Sequence, residues 1–459
     1  MPLLDVILPA NSSFLIANAT WNDKTKECAL VEMDTEDNPR VSIIVPARNE
    51  EACLGSCLES LVAQTGIAFE IIVVDDDSTD HTAEIARSFA TQPTGDLDRE
   101  GTGSSRAEKA GSSTLRDDSL ANHPAVLKQS SGICGTSKGR PLPTADTWGV
   151  SENCVRVIII SALPLPDNWT GKNNAISAGA KIAQTNAKWL LFTDADTIHR
   201  PGSLARAVAE AEQHGAALLS YSPEQEVRGF WEKAVMPVIF AELATTYPPQ
   251  AVNDPTSPIA AANGQYLLIS REAYGAVGGH TKIANDLLED VAMARLVKSS
   301  GRKIFFRYAA DAVRTRMYRS FGQMKEGWTK NLALLFPNPR GLALLRSAEF
   351  LLIIGNLLAA IWATLSGRPN LALQTGLLTA ILAGWFGLRI RKAHFPQTAN
   401  ILAVLGLPIF AYLLVRSTRL HRSHNVSWKG RKYGSLPETI MHESTETSSA
   451  GAADKQPST

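Results

Sequence analysis

The chain has 459 residues, enough for a large catalytic domain and a second part. Lysine plus arginine and aspartate plus glutamate number 45 each, so overall charge points to neither nucleic acid nor an acidic partner. Five cysteines (Cys28, Cys53, Cys57, Cys134, Cys154) show neither a zinc spacing nor a secreted disulfide framework, which fits a reducing compartment. Cys53 and Cys57, one helical turn apart, read as packing residues. The first residues lack a basic segment followed by an apolar core, so no cleavable signal peptide is expected.

Residues 1–40 mix short apolar and polar stretches and receive no role. From residue 41 the pattern sharpens. Residues 41–46 form a strand, and 47–51 turn into a helix reaching about residue 64. A second strand, 70–74, ends in the acidic run 75–80, and a helix follows over 81–90. This β-α-β-α order opens a doubly wound, mostly parallel sheet. Residues 91–150 are rich in Gly, Ser, Thr and charge, and read as a mobile insertion. Order resumes with a strand at 155–160, a loop through 164–174 and a helix over 175–185. The apolar run 189–193 reads as a buried strand that delivers Asp194 and Asp196 at its end, the edge where open α/β sheets bind ligands. In an extended segment those two carboxylates point the same way. Pro201 starts a helix that ends before Gly215. Residues 216–222 form a short strand, and 230–247 an apolar helix that either lies on a membrane surface or is buried. A strand at 265–270, a turn at 278–280, a helix over 287–300 and a strand at 303–308 complete this part.

Three apolar segments follow, about 348–366, 371–388 and 399–415, each near the length that spans a bilayer. Residues 367–370 join the first two as a helical hairpin. Basic residues follow the second segment (Arg389, Arg391, Lys392) and the third (Arg416, Arg419, Arg422). Three full crossings would put these stretches on opposite sides, against the positive-inside rule. The third segment, with Pro408, is therefore expected to be re-entrant or interfacial. The tail from residue 442 is polar and expected to be disordered.

Three acidic clusters stand at consistent places: 75–77 and Asp194/Asp196 after strands, and Glu289/Asp290 opening a helix. The first could bind a base and ribose. Two hard carboxylates at Asp194 and Asp196 suit Mg²⁺ or Mn²⁺ beside a diphosphate, and Asp290 is the candidate to take a proton from an attacking hydroxyl. Each has a plain rival. The triplet Asp194-Ala195-Asp196 could be a solvated turn, 75–80 a capped turn, and Glu289/Asp290 a complement to a helix dipole. Lys172 and Arg316 could be surface cations or phosphate ligands, and His280 a structural histidine.

The segments around Pro46, Ala47, Arg48, Asn49 and Glu50, around Asp75 to Asp80, and Thr193-Asp194-Ala195-Asp196 resemble, in this order, glycosyltransferase family 2. A narrower likeness rests on Trp169-Thr170-Gly171-Lys172-Asn173, Asn263-Gly264-Gln265, Gly278-Gly279-His280, Glu289-Asp290, Arg316-Met317-Tyr318 and Trp428-Lys429-Gly430-Arg431. These are similar to membrane-bound hopene-associated and carotenoid (diaponeurosporenoate-type) glycosyltransferases. The resemblance implies a GT-A fold (Rossmann-like, α/β) followed by C-terminal transmembrane helices, and inverting chemistry. It implies Asp290 as catalytic base and Asp194 and Asp196 as metal ligands. The substrate-binding set it implies is Pro46, Arg48, Glu50, Asp75, Asp76, Lys172, Asp194, His280, Glu289, Arg316 and Lys330. Processive synthases carry Gln-x-x-Arg-Trp after the base. Here 326–331 reads Glu-Gly-Trp-Thr-Lys-Asn, which favours transfer of a single sugar. Asp77 replaces a usual glycine.

The expected organisation is a GT-A domain over 41–340, membrane helices over 341–420 and a basic, then polar, tail over 421–459. The expected activity is transfer of one sugar from a UDP- or GDP-sugar to an isoprenoid-like lipid, with Mg²⁺ or Mn²⁺, at the inner membrane. The enzyme would be multi-pass with its catalytic domain in the cytoplasm, and would have no nucleic-acid partner. The rivals are a polyprenyl-phosphate sugar synthase and a non-catalytic, nucleotide-sugar-binding assembly subunit. A dinucleotide oxidoreductase is remote, because no Gly-x-Gly-x-x-Gly follows the first strand.

Overall fold

The computed structural model describes residues 39–90 and 155–433, together with the backbone of one strand at Gln129–Gly132. In chain order the elements begin β1 (Val41–Ala47), α1 (Leu54–Val62), β2 (Phe69–Asp75), α2 (Thr82–Ser88), β3 (Gln129–Gly132) and β4 (Arg156–Ser161). They continue α3 (Gly171–Ile182), β5 (Trp189–Phe192), β6 (Thr197–His199), α4 (Ser203–His214), β7 (Leu218–Ser222) and β8 (Glu224–Gln225). Next come α5 (Phe230–Thr246), α6 (Pro249–Asn253), β9 (Leu267–Ser270), α7 (Arg271–Ala276), α8 (Glu289–Ser299), β10 (Ile304–Tyr308) and β11 (Val313–Thr315). The C-terminal part holds α9 (Phe321–Leu335), α10 (Pro339–Leu365), α11 (Pro369–Ile390), α12 (Gln397–Arg422), β12 (Val426–Trp428) and β13 (Arg431–Tyr433).

Eight strands form the main sheet in the order β10-β7-β9-β5-β1-β2-β4-β3. β1 pairs in parallel with both β2 and β5, β2 with β4, and β7 with β10, while β9 and the edge strand β3 run antiparallel to their neighbours. The order reverses at β1, so the crevice between the ends of β1 and β5 is the topological switch point. Alternation along β1 explains the two cores. Ile43 and Val45 pack towards α1 and α4, and Ile44 packs on the other face with Ala175 and Ile176 of α3. The expected insertion at 91–150 contributes β3; the rest of it, like residues 1–38 and the tail beyond 433, lies outside the described residues.

Two sequence expectations are corrected. The helix placed at 175–185 begins four residues earlier, because the hydroxyl of Thr170 caps it by accepting from Asn173 N. Asp194 and Asp196 do not lie on an extended strand. β5 stops at Phe192, and Thr197 turns the chain back by donating its hydroxyl to Asp194 O (2.7 Å).

α5 is a buried core helix rather than a surface one: Ala234, Val235, Val238, Ile239 and Ala241 are fully enclosed. Its N-terminus is closed by Glu232, whose carboxylate accepts from the N–H groups of Arg228 and Gly229. α10, α11 and α12 are each long and apolar enough to cross a membrane. On α10 and α11 large side chains such as Leu344, Leu351, Leu365, Leu373 and Trp385 are exposed, an apolar surface of the kind that marks a partner or membrane contact. An ionic knot ties this hairpin to α5: Arg346 pairs with Glu242 (2.9 Å) and Glu349 (3.0 Å), and Arg389 with Glu349 (2.7 Å).

α12 differs from the hairpin. It runs through Pro408 as one helix, with one face against α5 and α9. Just before it, His394 stacks on Tyr308 of β10; near its end, Ser417 donates to Thr329 O (2.6 Å) and His421 meets Lys330 O (2.8 Å). The two ends of α12 therefore meet β10 and α9. The crossing with α5 is close because position 406 is glycine: a Cβ there would lie 1.8 Å from Ala234 O. Gly406→Ala should cost about 1–3 kcal/mol of stability by forcing the helices apart. A lowered thermal unfolding midpoint in detergent would register it, and an unchanged midpoint would contradict the tight crossing.

Candidate active site

The site lies in one cavity of about 1110 Å³ at the switch point. Of the residues expected from sequence, Pro46, Arg48, Glu50, Asp76, Lys172, Asp194, Asp196, Glu289, Asp290, Arg316 and Lys330 all line it. Asp75 and His280 do not. Asp75 caps its own turn by accepting from Ser78 N (3.3 Å). His280 is buried behind the site, with Nδ1 3.0 Å from the Tyr274 hydroxyl and its ring edge-on to Phe192. Burial lowers its pKa to about 4, so it is a neutral packing residue.

At the centre, Lys172 Nζ lies 2.6 Å from both Asp194 Oδ1 and Glu289 Oε1. The first turn of α3 thereby links the end of β5 to the start of α8. Burial opposes the ammonium charge, but Asp194 and Glu289 outweigh it and hold the lysine well above its ordinary range. Burial likewise pushes Glu289 up, yet Lys172 and Lys330 outweigh it and the net shift is downward. Lys172, read from sequence as a possible phosphate ligand, is committed to these two carboxylates. Arg316 is similarly engaged by both oxygens of Glu232 (3.1 and 2.8 Å). It reaches the cavity because β11 joins β6 and β8 in a small sheet, and Thr315 Oγ1 donates to Asp196 O.

Asp290 is held by two backbone donors: Gly264 N to Oδ2 and Val291 N to Oδ1, both 2.8 Å. Each oxygen keeps a second lone pair. Burial, and then Glu289, raise its pKa to about 6. The Asn263-Gly264-Gln265 stretch is close by necessity, since a Cβ on Gly264 would sit 3.1 Å from both Glu289 Oε1 and Lys172 Nζ.

Asp196 Oδ1 is buried and has no partner. Burial, followed by Asp194 and Glu50, raises this carboxyl to about 7. An orphaned oxygen beside a second carboxylate suits a hard divalent cation. Among the described residues no group of three or more His, Cys, Asp or Glu could hold a metal alone, so a cation here would need oxygen ligands from substrate and water as well.

The site also contains residues to which the sequence reading gave no role. The β12–β13 hairpin returns to the cavity, setting Lys429 on Glu50 and Arg431 on Asp76. The signal was present in the Trp428-Lys429-Gly430-Arg431 stretch, but nothing in the sequence placed it. Asp77 takes a left-handed backbone (φ +63°), which explains the usual glycine at this position.

The Glycosyl transferase family 2 model matches residues 42–113 and 150–277. A curated relative, 4,4'-diaponeurosporenoate glycosyltransferase of Staphylococcus aureus (strain NCTC 8325 / PS 47), is 24% identical over 407 residues, 86% of this chain and 88% of the relative. Its match to that model and to this relative makes the chain a glycosyltransferase with a family 2 domain. Solved structures similar to this glycosyltransferase include a mannosyltransferase from Pyrobaculum calidifontis in complex with GDP-Man and Mn²⁺ (14% identity, TM-score 0.42, 83% of this chain and 87% of that one). Another is glucosyl-3-phosphoglycerate synthase from Mycobacterium tuberculosis in complex with Mn²⁺, UDP and glucosyl-3-phosphoglycerate (16%, TM-score 0.34, 64% and 78%).

Lys172→Met should destabilise this glycosyltransferase by about 2 kcal/mol at neutral pH, the small end for a partly exposed pair. The sign with pH is specific. In the natural protein Glu289 is held low, so its contribution is lost as pH falls. In the variant Glu289 loses the cation that holds it down, so its carboxyl rises and protonation relieves the deficit. The deficit should therefore shrink from pH 8 to pH 5 in denaturant unfolding; a constant deficit would contradict the assignment.

Proposed function

We propose that the enzyme moves one sugar from a nucleotide-sugar donor to an apolar, long-chain acceptor bearing a hydroxyl or carboxyl, with inversion at the anomeric carbon. The observation that carries this reading is the two-sided character of the cavity. Its polar half holds Asp76, Asp194, Asp196 and Asp290. Apolar and aromatic groups line the cavity as well: Phe240, Leu243 and Ala244 of α5, Tyr247 just after that helix, Leu335, and the Ala393–His394 turn before α12. A donor fits the first wall and a hydrocarbon chain the second, which agrees with the diaponeurosporenoate named for the relative.

On this reading Asp76 faces the donor's base and ribose. Asp290 accepts the proton of an acceptor hydroxyl as its oxygen attacks the anomeric carbon, and the nucleoside diphosphate departs on the opposite face. Gly264 N and Val291 N fix the base, and Lys172 keeps Glu289 ionised beside it. Mg²⁺ or Mn²⁺ held by Asp194 and Asp196 would neutralise the departing diphosphate. Glu50, Arg48 and Pro46 shape the donor wall; Lys330 and Arg316 remain near the transferred group. The catalytic part is 41–340, and the membrane part follows to about 420.

The topology belongs to the same proposal. α10 leaves the catalytic domain and α12 returns to it, ending in a hairpin that contacts Glu50 and Asp76. This supports an even number of crossings: α10 and α11 span the membrane and α12 lies at its surface. Arg389, Arg391, Lys392 and the basic end of α12 then share the cytoplasmic side with the catalytic domain.

Purified protein incubated with labelled UDP- and GDP-sugars and total membrane lipid should yield a glycolipid identifiable by mass. No product from any donor would leave only a binding subunit. With a hydroxyl acceptor, Asp290→Asn should lower turnover by about 10²-fold or more while donor binding persists. Near-normal turnover would instead mark an acceptor already anionic, a carboxylate or a polyprenyl phosphate. Because Asp290 must be ionised to act, kcat/KM should fall about tenfold per pH unit below pH 6, and a flat profile between pH 4.5 and 7 would contradict the assignment. Mn²⁺ should raise the unfolding midpoint of the natural protein in the presence of nucleoside diphosphate but not that of Asp196→Asn; equal shifts would remove Asp196 from the metal site.

A further inference from the structure

Asp194 and Asp196 line the cavity, and behind the turn that carries them lies a layer of buried polar side chains: Cys57, Thr193, Thr197, His199, Gln265 and Thr315. β6 and β11 run antiparallel here and set Thr197 opposite Thr315. The backbone N–H of His199 donates to Ser60 Oγ (3.0 Å), and its ring lies against Tyr266. Burial lowers the pKa of this histidine to about 3, so its imidazole is neutral and carries one proton. The protons around it decide which nitrogen holds that one. Thr193 Oγ1 donates to Gln265 O (2.8 Å) and Thr197 Oγ1 to Asp194 O (2.7 Å), and a carbonyl can only accept. Each hydroxyl has then spent its single proton. Yet the two hydroxyl oxygens are 3.0 Å apart, and His199 Nε2 is 3.1 Å from both. Lone pairs on all three atoms, turned on one another away from water, would be costly. The network therefore assigns the hydrogen to Nε2, shared between the two threonines.

A second run of hydrogen bonds serves Asp196. Thr315 Oγ1 donates to Asp196 O (3.1 Å), so it accepts from Gln265 Nε2 (3.3 Å), and Gln265 Oε1 in turn accepts from Gln225 Nε2 (3.2 Å). The Cys57 thiol, pushed up to about 12 chiefly by burial and so protonated, lies 3.7 Å from Asp194 O. The main-chain carbonyls of both aspartates are thus held from behind by neutral donors. These side chains carry no charge, so they fix the turn without competing for its carboxylates, and Asp196 Oδ1 still has no partner.

We propose that His199 is a positioning residue for the metal-binding turn: its Nε2–H, divided between Thr193 and Thr197, aims the hydroxyl that holds Asp194 O, as Gln265 does for Asp196 O through Thr315. This rests on the reading above of Asp194 and Asp196 as holders of Mg²⁺ or Mn²⁺. Without the Nε2 proton, Thr197 turns its hydroxyl from Asp194 O towards Thr193. The turn then loosens, and the two carboxylates lose the spacing that one cation needs.

The cation and the proton are read separately, on the full chain. Mn²⁺ affinity is measured from the electron paramagnetic resonance signal of free Mn²⁺, with UDP or GDP present, for the natural protein, His199→Phe, His199→Gln and Thr315→Val, each held well below its unfolding midpoint. His199→Phe keeps a ring against Tyr266 and removes the donor, whereas the amide of His199→Gln restores an N–H at the same reach. His199→Phe and Thr315→Val should weaken Mn²⁺ about tenfold or more, and His199→Gln should stay within about threefold of natural. Natural Mn²⁺ affinity in His199→Phe alongside a lowered midpoint, or a loss in His199→Gln as large as in His199→Phe, would overturn the positioning role and leave the metal site intact. Absence of Mn²⁺ binding by the natural protein would overturn the metal reading and this role with it. Nitrogen NMR of the natural protein labelled at histidine gives a readout free of any activity. The ring whose signals vanish in His199→Gln should show Nε2 protonated and Nδ1 bare at neutral pH, and the opposite tautomer would overturn the assignment.

Discussion

The ammonium of Lys172 between Asp194 and Glu289 is the constraint from which the site's geometry follows. Three acidic groups from β5 and α8 would otherwise repel one another in a poorly solvated cleft. One cation on the first turn of α3 lets the end of a strand and the start of a helix approach. It also divides their chemistry. Glu289 stays ionised, while Asp290, next in the chain and out of reach of that ammonium's direct contact, is left with a carboxyl raised by burial. Neighbouring carboxyls driven in opposite directions can take different tasks.

Much of this was legible in the sequence, because the sheet announces itself. Runs of β-branched residues ending in acids predict parallel strands whose tips carry ligands, and the cavity collects most of the expected residues. The misses have physical causes. The Asp-x-Asp pair was expected on an extended strand; Thr197 makes it a turn, through a side-chain hydrogen bond that periodicity does not report. α3 began early because one hydroxyl caps it. Asp75 and His280 belong to motifs that line the site only in part: Asp75 holds a turn and His280 supports the wall behind Glu289. Lys429 and Arg431 could not be placed at all, since they reach Glu50 and Asp76 across more than 350 residues of sequence.

The apolar C-terminal region shows why composition alone misjudges a helix. α10, α11 and α12 are alike in length and hydropathy, yet they meet different surroundings. The hairpin of α10 and α11 leaves its large side chains outward and is anchored at one end by an ionic knot of two arginines and two glutamates. α12 buries Leu407, Phe410, Leu413 and Leu414 against soluble-type core. Its small residues, Gly406 and Ser417, sit where backbones nearly touch, which is a packing signature and not a lipid-facing one.

The position of the Ala393–His394 turn has a consequence for the fate of the product. The apolar half of the cavity ends beside this turn, at the foot of the α10–α11 hairpin, and not within the hairpin. On the reading proposed above, an acceptor slides in sideways from one leaflet, and the glycosylated molecule backs out into that leaflet. Nothing in such a layout carries a sugar through the bilayer. Display of the finished head group on the far face would fall to a separate flipping device.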